Sequence, residues 1–139
     1  MCVMGIIFTG IFFQENVFDC LRDKIPVHQE DIKNRYGGYH VTCCYKPTNN
    51  QLFSKNMVDS EVEVEVTHIM RGDGVTAVAV NLPKELKEFY YSESVPHITL
   101  GIDFPHKPVE SGSISLEKWE KIDPFIVRGR VGYLKTRKE

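Results

Sequence analysis

The chain has 139 residues, of which 42% are hydrophobic and 26% charged, and its formal net charge at pH 7 is −2. These values are typical of a soluble globular protein and predict one compact domain over residues 1–139. They argue against a long nucleic acid as the main ligand, because proteins that neutralise many phosphates carry a basic excess. A small nucleotide or one RNA end needs only a local pocket.

The first third of the chain predicts a strand followed by a helix. Residues 3–13 are rich in β-branched and aromatic side chains, which favour a buried strand. They are too short to span a bilayer and lack the basic start of a signal peptide, so we expect no membrane segment. Residues 14–25 have apolar side chains at helical spacing. Residues 28–36 are predicted to add a helical turn.

The middle and end of the chain predict a hairpin, a helix and two more strands. The stretch EVEVEVTHIM at 61–70 alternates with period two, and residues 75–82 return as its hairpin partner. Residues 83–91 predict a short helix with a proline near its start. A loop rich in Pro, Gly and Ser covers 105–113, and a last strand covers 125–134. Strands with two helices between them predict an α+β protein with an antiparallel sheet assembly and helices outside.

The cysteines are predicted to be reduced, buried thiols. They are Cys2, Cys20, Cys43 and Cys44. Their spacing matches no zinc motif, and the adjacent pair Cys43 and Cys44 would point to opposite faces of a strand. Free thiols are typical of cytosolic proteins, so we expect a cytoplasmic location.

Two segments share a His-x-Thr pattern at the start of apolar strands. One begins at His40 and the other at His97, 57 residues later. Residues i and i+2 of a strand share a face, so each motif offers an imidazole and a hydroxyl to one side. Thr42 and Thr99 supply the hydroxyls. Two such strands across a cleft would bring two imidazoles and two hydroxyls into one small volume.

This set of groups suits the cleavage of a phosphate ester without a metal or a cofactor. One neutral imidazole takes a proton from water, the other protonates the departing oxygen, and the hydroxyls hold the phosphoryl oxygens. No two histidines have metal-ligand spacing with carboxylates, so we predict no metal site. His68 has no Thr partner and is expected to face solvent or a neighbour. The alternative interpretation is that His40 and His97 are structural residues of two strands.

The two motifs resemble those of the two-histidine phosphoesterase superfamily. Within it, the segments HVTCCY, HITLG and KPVESG are most similar to the 2′,3′-cyclic-nucleotide 3′-phosphodiesterase branch. That branch is itself similar to the cyclic phosphodiesterase domain of fungal and plant tRNA ligases. The resemblance implies a bilobal α+β fold, with two antiparallel sheets around a central cleft and helices outside.

The resemblance also implies roles for individual residues. His40 and His97 match the catalytic pair, and Thr42 and Thr99 match the phosphate-binding threonines. We assign His97 as the base and His40 as the acid, with the reverse assignment left open.

A base-binding slot is implied by the same resemblance. Tyr45 stands five positions after the first histidine, where an aromatic residue of the family stacks on the base. Pro108 and Val109 match the Pro-Val pair on the other side of that slot. The interval between the motifs is shorter than in vertebrate members, which puts contacts to a long substrate in doubt.

The expected activity is hydrolysis of the 2′,3′-cyclic phosphate of a nucleotide or RNA terminus to the 2′-phosphate, by a monomer without cofactors. Two alternatives stay open. One is cleavage of 2′–5′ oligoadenylate, which viral members of the superfamily perform with the same motifs. The other is an RNA-end binding module without turnover. Intact His and Thr at both motifs count against the second alternative.

Overall fold

The computed structural model describes residues 5–24, 30–31, 38–72, 75–91, 95–102 and 119–135. Strands make up 57% of these residues. They are β1 (Ile6–Phe12), β2 (Glu30–Asp31), β3 (His40–Tyr45), β4 (Glu61–Gly72), β5 (Val75–Asn81), β6 (His97–Ile102) and β7 (Glu120–Lys135). The helical elements are a 3₁₀ helix (Glu15–Lys24), a short 3₁₀ turn (Asn49–Gln51) and the α-helix α1 (Lys84–Lys87).

All seven strands belong to one antiparallel sheet with the order β2-β6-β5-β4-β7-β1-β3. The sheet is nearly closed and barrel-like. Strand β3 is at one end of this order and β6 is next to the other end, yet some of their Cα atoms come within 8 Å of each other. The predicted α+β fold with two sheets in two lobes is therefore wrong. The predicted lobes are joined because β4 and β7 pair with each other along most of β4.

The pairing of β4 with β7 places two of the alternating glutamates of β4 opposite arginines. Glu61 stands opposite Arg130, and Glu63 stands opposite Arg128. The Nε atom of Arg128 donates to a Glu63 carboxylate oxygen at 3.2 Å. Opposite charges directly across a strand pair favour that pairing, although each exposed pair contributes little to stability. The alternating sequence pattern predicted that one face of β4 is exposed to solvent. It did not indicate which strand pairs with β4 and places charged residues opposite the glutamates.

The main hydrophobic core lies on one face of the sheet, which we call the core face. It is marked by buried side chains from most strands, namely Ile11, Val41, Val64, Val78, Ile98 and Val131. Phe18 and Leu21 of the 3₁₀ helix and Leu86 of α1 pack against this cluster. The opposite face, which we call the site face, carries the alternate residues of each strand. A smaller cluster that includes Ala77, Ala79 and Trp119 lies there.

The order of the strands is nearly the same from either end. On one side of the β4–β7 pair, β5, α1 and β6 follow each other in the chain. On the other side, β1 and β3 form the corresponding pair, and the 3₁₀ helix lies between them in sequence. The two His-x-Thr strands, β6 and β3, thus occupy equivalent positions, each two strands away from the β4–β7 pair, and β2 adds one further strand beyond β6.

Several predicted elements differ from the structure in their ends or type. The strands near residues 3–13, 61–70, 75–82 and 125–134 are confirmed, with the last one extended to Glu120–Lys135. The first helix is 3₁₀, and the second is only four residues long. The predicted helical turn is wrong at Glu30 and Asp31, which pair with β6. The predicted loop at 105–113 lies outside the described residues.

The thiols are partly as predicted. Cys43 and Cys44 are free and buried, whereas Cys20 is free but exposed. Burial, with a smaller effect of the neighbouring Cys44, raises the pKa of Cys43 to about 12, so this thiol stays protonated at neutral pH. Cys2 lies outside the described residues. Among the helices of the described segments, none has the length and apolar character needed to cross a bilayer.

Candidate active site

The near-closure of the sheet brings the two His-x-Thr strands together. Strand β3 begins at His40 and β6 begins at His97. The backbone N–H of Tyr91, which precedes β6 in the chain, donates to the carbonyl of Cys43 in β3 at 2.8 Å. The two motifs, 57 residues apart in sequence, thus belong to neighbouring parts of one surface.

The alternation expected for the two motifs is present in both strands. Val41 and Ile98, the middle residues of the motifs, are fully buried in the core. The flanking His and Thr residues point to the site face, because neighbouring side chains of a strand lie on opposite faces. Thr99 is 7% exposed and Thr42 is half-buried. Each strand thus presents one imidazole and one hydroxyl on the side away from the core.

Both imidazoles are held in the same way. The Nδ1 atom of His40 lies 2.8 Å from the carbonyl oxygen of Gly38. The Nδ1 atom of His97 lies 2.7 Å from the carbonyl oxygen of Val95. A carbonyl oxygen only accepts, so each Nδ1 carries the proton and donates it. In the neutral ring this tautomer makes Nε2 the nitrogen that carries the lone pair.

A β-bulge occurs at the same offset in each motif strand. Thr42 pairs with Gly10 and Cys44 pairs with Thr9, so Cys43 is the extra residue of β3. In β6, Thr99 pairs with Ala77 and Gly101 pairs with Thr76, which makes Leu100 the extra residue. Each bulge lies three positions after the histidine. Bulges bend a strand and redirect the residues that follow.

The bulge at Cys43 determines where Tyr45 points. In a regular strand, residue i+5 lies on the opposite face from residue i. The extra residue restores the face, and Tyr45 stands opposite Phe8, whose ring stacks on His40. Tyr45 therefore lies on the site face with its side chain 63% exposed. The Lys46 ammonium lies 5.4 Å from the centroid of the Tyr45 ring, over one of its faces.

The two histidines differ in their surroundings. His40 stacks on Phe8 with centroids 4.6 Å apart, and the ring of Phe12 lies 6.0 Å away. His97 has Ala79 as its register partner, whereas the register partner of His40 is Phe12. Burial lowers the pKa of His97, and its hydrogen bond to the Val95 carbonyl offsets part of that effect. The surroundings of His97 thus favour its neutral form.

The structure adds three residues that sequence reasoning missed. Phe8, Gly10 and Phe12 belong to β1 and face the first motif from the neighbouring strand. A Cβ atom on Gly10 would clash with the carbonyl oxygen of Val41, so only glycine fits there. The apolar first strand was recognised in the sequence, but nothing in it indicated pairing with the His40 strand.

His68 also lies near the second motif. It stands opposite Ala79, which in turn stands opposite His97, so the three residues form one row across β4, β5 and β6. Its Nδ1 atom lies 2.8 Å from the Thr67 hydroxyl. His68 is half-buried and contacts a neighbouring side chain, which agrees with the expectation that it faces solvent or a neighbour.

Two of the predicted site residues, Pro108 and Val109, lie outside the described residues. Within the described segments, no three His, Cys, Asp or Glu side chains form a group that could hold a metal ion. The described part of the candidate site therefore consists of the two imidazoles, the two threonine hydroxyls and the aromatic side chains around His40.

Comparison with family models and with curated proteins finds no match to this chain.

Proposed function

We propose that this protein is a two-histidine phosphoesterase that hydrolyses a 2′,3′-cyclic phosphate on a nucleotide or RNA end to the 2′-phosphate. The observation that carries the proposal is the matching arrangement of His40 and His97. Each Nδ1 donates to the carbonyl two residues earlier, so Nε2 is the nitrogen with the lone pair when either ring is neutral. Two imidazoles with the same tautomer on neighbouring strands suit paired acid–base catalysis.

The reaction needs two proton transfers at one phosphorus atom. A base takes a proton from water as the water oxygen forms a bond to phosphorus. The bond between phosphorus and the 3′-oxygen breaks, and an acid protonates that oxygen. The product has a 2′-phosphate and a free 3′-hydroxyl, and the proton gained by the base balances the one lost by the acid.

The two environments favour His97 as the base and His40 as the acid. A base must be neutral before the reaction, and burial lowers the pKa of His97. An acid must begin protonated, and an imidazolium stacked on an aromatic ring gains cation–π attraction. Phe8 provides such a ring beside His40.

The remaining groups fit the phosphate and the base. Thr42 and Thr99 share a face with their histidines, so their hydroxyls can donate to the phosphoryl oxygens. Tyr45 shares that face and is exposed, so a nucleobase can stack on the side of its ring away from Lys46. No step in this scheme requires a metal or a cofactor.

The proposal is tested by identifying the products from a panel of substrates. Adenosine 2′,3′-cyclic phosphate, 2′–5′ triadenylate and linear 3′–5′ RNA are incubated separately with the protein, and products are separated by chromatography against 2′- and 3′-phosphate standards. We expect adenosine 2′-phosphate from the cyclic substrate. The 3′-phosphate as product would contradict the assigned leaving group, and cleavage of 2′–5′ triadenylate alone would replace the proposed substrate.

Binding of the cyclic nucleotide without turnover would instead support a binding module. Calorimetric titration of the cyclic nucleotide into the same protein sample distinguishes that outcome from an inactive preparation.

A further inference from the structure

The carbonyl that holds the His40 imidazole belongs to a glycine with a left-handed backbone. Gly38 has a φ of 60°, and its carbonyl oxygen lies 2.8 Å from His40 Nδ1. Residues with a Cβ atom rarely adopt a positive φ, and β-branched residues do so least of all. The direction of this carbonyl thus depends on a backbone conformation that glycine adopts at little cost.

The second motif fixes its carbonyl without a left-handed residue. The acceptor for His97 Nδ1 is the carbonyl of Val95, which precedes Pro96. A residue before proline is largely confined to extended conformations, so Pro96 limits the directions in which the Val95 carbonyl can point. The Pro96 carbonyl in turn accepts the N–H of Val80 in β5 at 2.9 Å. The two motifs therefore form the same hydrogen bond by different backbone means.

The residues that follow Gly38 are held by contacts of their own. The Tyr39 carbonyl accepts the N–H of Phe13 at 3.0 Å, and the Tyr39 ring packs edge-on against Phe18 with centroids 5.4 Å apart. The imidazole of His40 is stacked on Phe8. A change of conformation at Gly38 would therefore turn its carbonyl away from an imidazole that stays in place.

The direction of the Gly38 carbonyl matters for the proposed acid role of His40. An imidazolium carries one proton on each ring nitrogen. While Nδ1 donates to a carbonyl, the proton that passes to the departing 3′-oxygen is the one on Nε2, and the neutral ring that remains is the Nδ1–H tautomer. Without that acceptor, the neutral ring also populates the Nε2–H tautomer, which must rearrange before Nε2 can take up a proton for the next turnover.

We infer that Gly38 is a positioning residue for His40, because its left-handed backbone aims a carbonyl at Nδ1 and thereby sets which ring nitrogen exchanges the proton. The catalytic consequence rests on the proposed function, whereas the tautomer of His40 is independent of any substrate. One hydrogen bond changes an equilibrium by a factor of about two to ten, which gives the size of the expected effects.

The test measures the tautomers of His40 and His97 by NMR of the ring nitrogens, at a pH where both rings are neutral, together with kcat on adenosine 2′,3′-cyclic phosphate. Gly38→Val and Gly38→Asn are compared with wild type, since valine resists a left-handed backbone and asparagine tolerates it. Gly5→Val is the matched control, because Gly5 also has a positive φ, of 85°, but lies in the turn before β1 and outside both motifs. Thermal unfolding verifies that each variant folds.

We expect the ratio of the Nδ1–H to the Nε2–H form of neutral His40 to fall about twofold to tenfold in Gly38→Val, and kcat to fall by a factor in the same range. The tautomer of His97 should not change in that variant. Gly38→Asn should stay within about twofold of wild type in both measurements. Gly5→Val should lose stability while keeping the wild-type tautomers and kcat. If Gly38→Val does not fold, Gly38→Ala provides the same comparison with less strain.

An unchanged tautomer of His40 in the folded valine or alanine variant would overturn the inference. Equal losses in Gly38→Val and Gly38→Asn would overturn it as well, since the left-handed backbone would then not be the cause. A changed tautomer with an unchanged kcat would overturn the catalytic consequence. If wild type does not hydrolyse the cyclic phosphate, the proposed function fails, and the tautomer measurement still decides whether Gly38 sets the position of the proton.

Discussion

The imidazole of His40 stacks on the phenyl ring of Phe8, with ring centroids 4.6 Å apart and an angle of 25° between the planes. His97 has the same backbone hydrogen bond as His40, but Ala79 stands opposite it. The two motifs thus share a tautomer and differ in what surrounds the ring. That difference is the physical basis for giving the acid role to His40 and the base role to His97.

Replacement of Phe8 tests the acid role. Phe8→Leu keeps an apolar side chain but removes the ring face under His40. Loss of about 0.5–2 kcal/mol of cation–π attraction predicts a decrease in kcat of about twofold to thirtyfold, with little change in KM. The measurement is steady-state kinetics on a 2′,3′-cyclic nucleotide.

Phe13→Leu is the control for Phe8→Leu. Phe13 packs on the core face near Phe18, away from the histidines. The Phe13→Leu variant should be less stable than wild type but should keep the wild-type kcat. Equal kcat in wild type and folded Phe8→Leu would show that the stack does not support the acid.

Two glycines in one row test the pairing of β1 with β3. Gly10→Ala forces a Cβ against the Val41 carbonyl, and a clash with backbone predicts a loss of about 1–3 kcal/mol in the free energy of unfolding. Gly132 is the register partner of Gly10, and a Cβ there would make ordinary contacts of 3.8 Å with the Phe12 ring. Gly132→Ala should therefore cost clearly less than Gly10→Ala. Chemical denaturation measures both, and equal losses would contradict the described register.

The lowered pKa of His97 predicts a pH dependence of stability. Because the folded-state pKa lies below the unfolded value of about 6.5, the unfolded chain binds the proton first as pH falls. The free energy of unfolding should decrease as pH drops from about 6.5 towards the folded-state pKa, and this contribution should be constant above that window. His97→Gln should remove this part of the slope. Identical slopes in denaturant titrations of the two proteins would contradict the burial of a neutral His97.

Tyr45→Ala tests the base slot. Stacking of one base contributes about 1–3 kcal/mol, so we expect KM to rise about tenfold to hundredfold while measurable turnover remains. An aromatic face reads no hydrogen-bond pattern, so the four 2′,3′-cyclic nucleotides should differ only modestly in wild type. Ile126→Ala, at another exposed apolar side chain, is the control. Unchanged KM in Tyr45→Ala would show that the base lies elsewhere.

Local sequence patterns were sufficient to predict those parts of the fold that depend on residues close together in the chain. The period-two alternation of β4 and the buried middle residues of both motifs were predicted correctly. These features follow from which side chains avoid water within one strand. The type of the first helix and the strand at Glu30 were predicted wrongly, since packing and not spacing decides them.

The pairing of strands that are far apart in the chain could not be predicted from sequence patterns. The joining of β4 to β7, which makes one sheet of two expected lobes, depends on contacts between residues about 60 positions apart. The contribution of Phe8 and Phe12 to the site depends on the register of β1 against β3. Tyr45 was predicted as a site residue only from the resemblance to the two-histidine phosphoesterases, while the bulge that turns it to the site face appeared only in the structure.

The most direct measurement of the central claim is hydrolysis of a 2′,3′-cyclic nucleotide by wild type, His40→Ala, His97→Ala and the double variant. Acid or base catalysis by one positioned side chain contributes about 10²–10⁴-fold, so each single variant should lose at least about a hundredfold in kcat. Because the two act in one step, the double variant should lose much less than the product of the single losses. Thermal unfolding must show that all four proteins fold. Retention of more than about a tenth of the activity by either folded single variant would contradict the two-histidine mechanism.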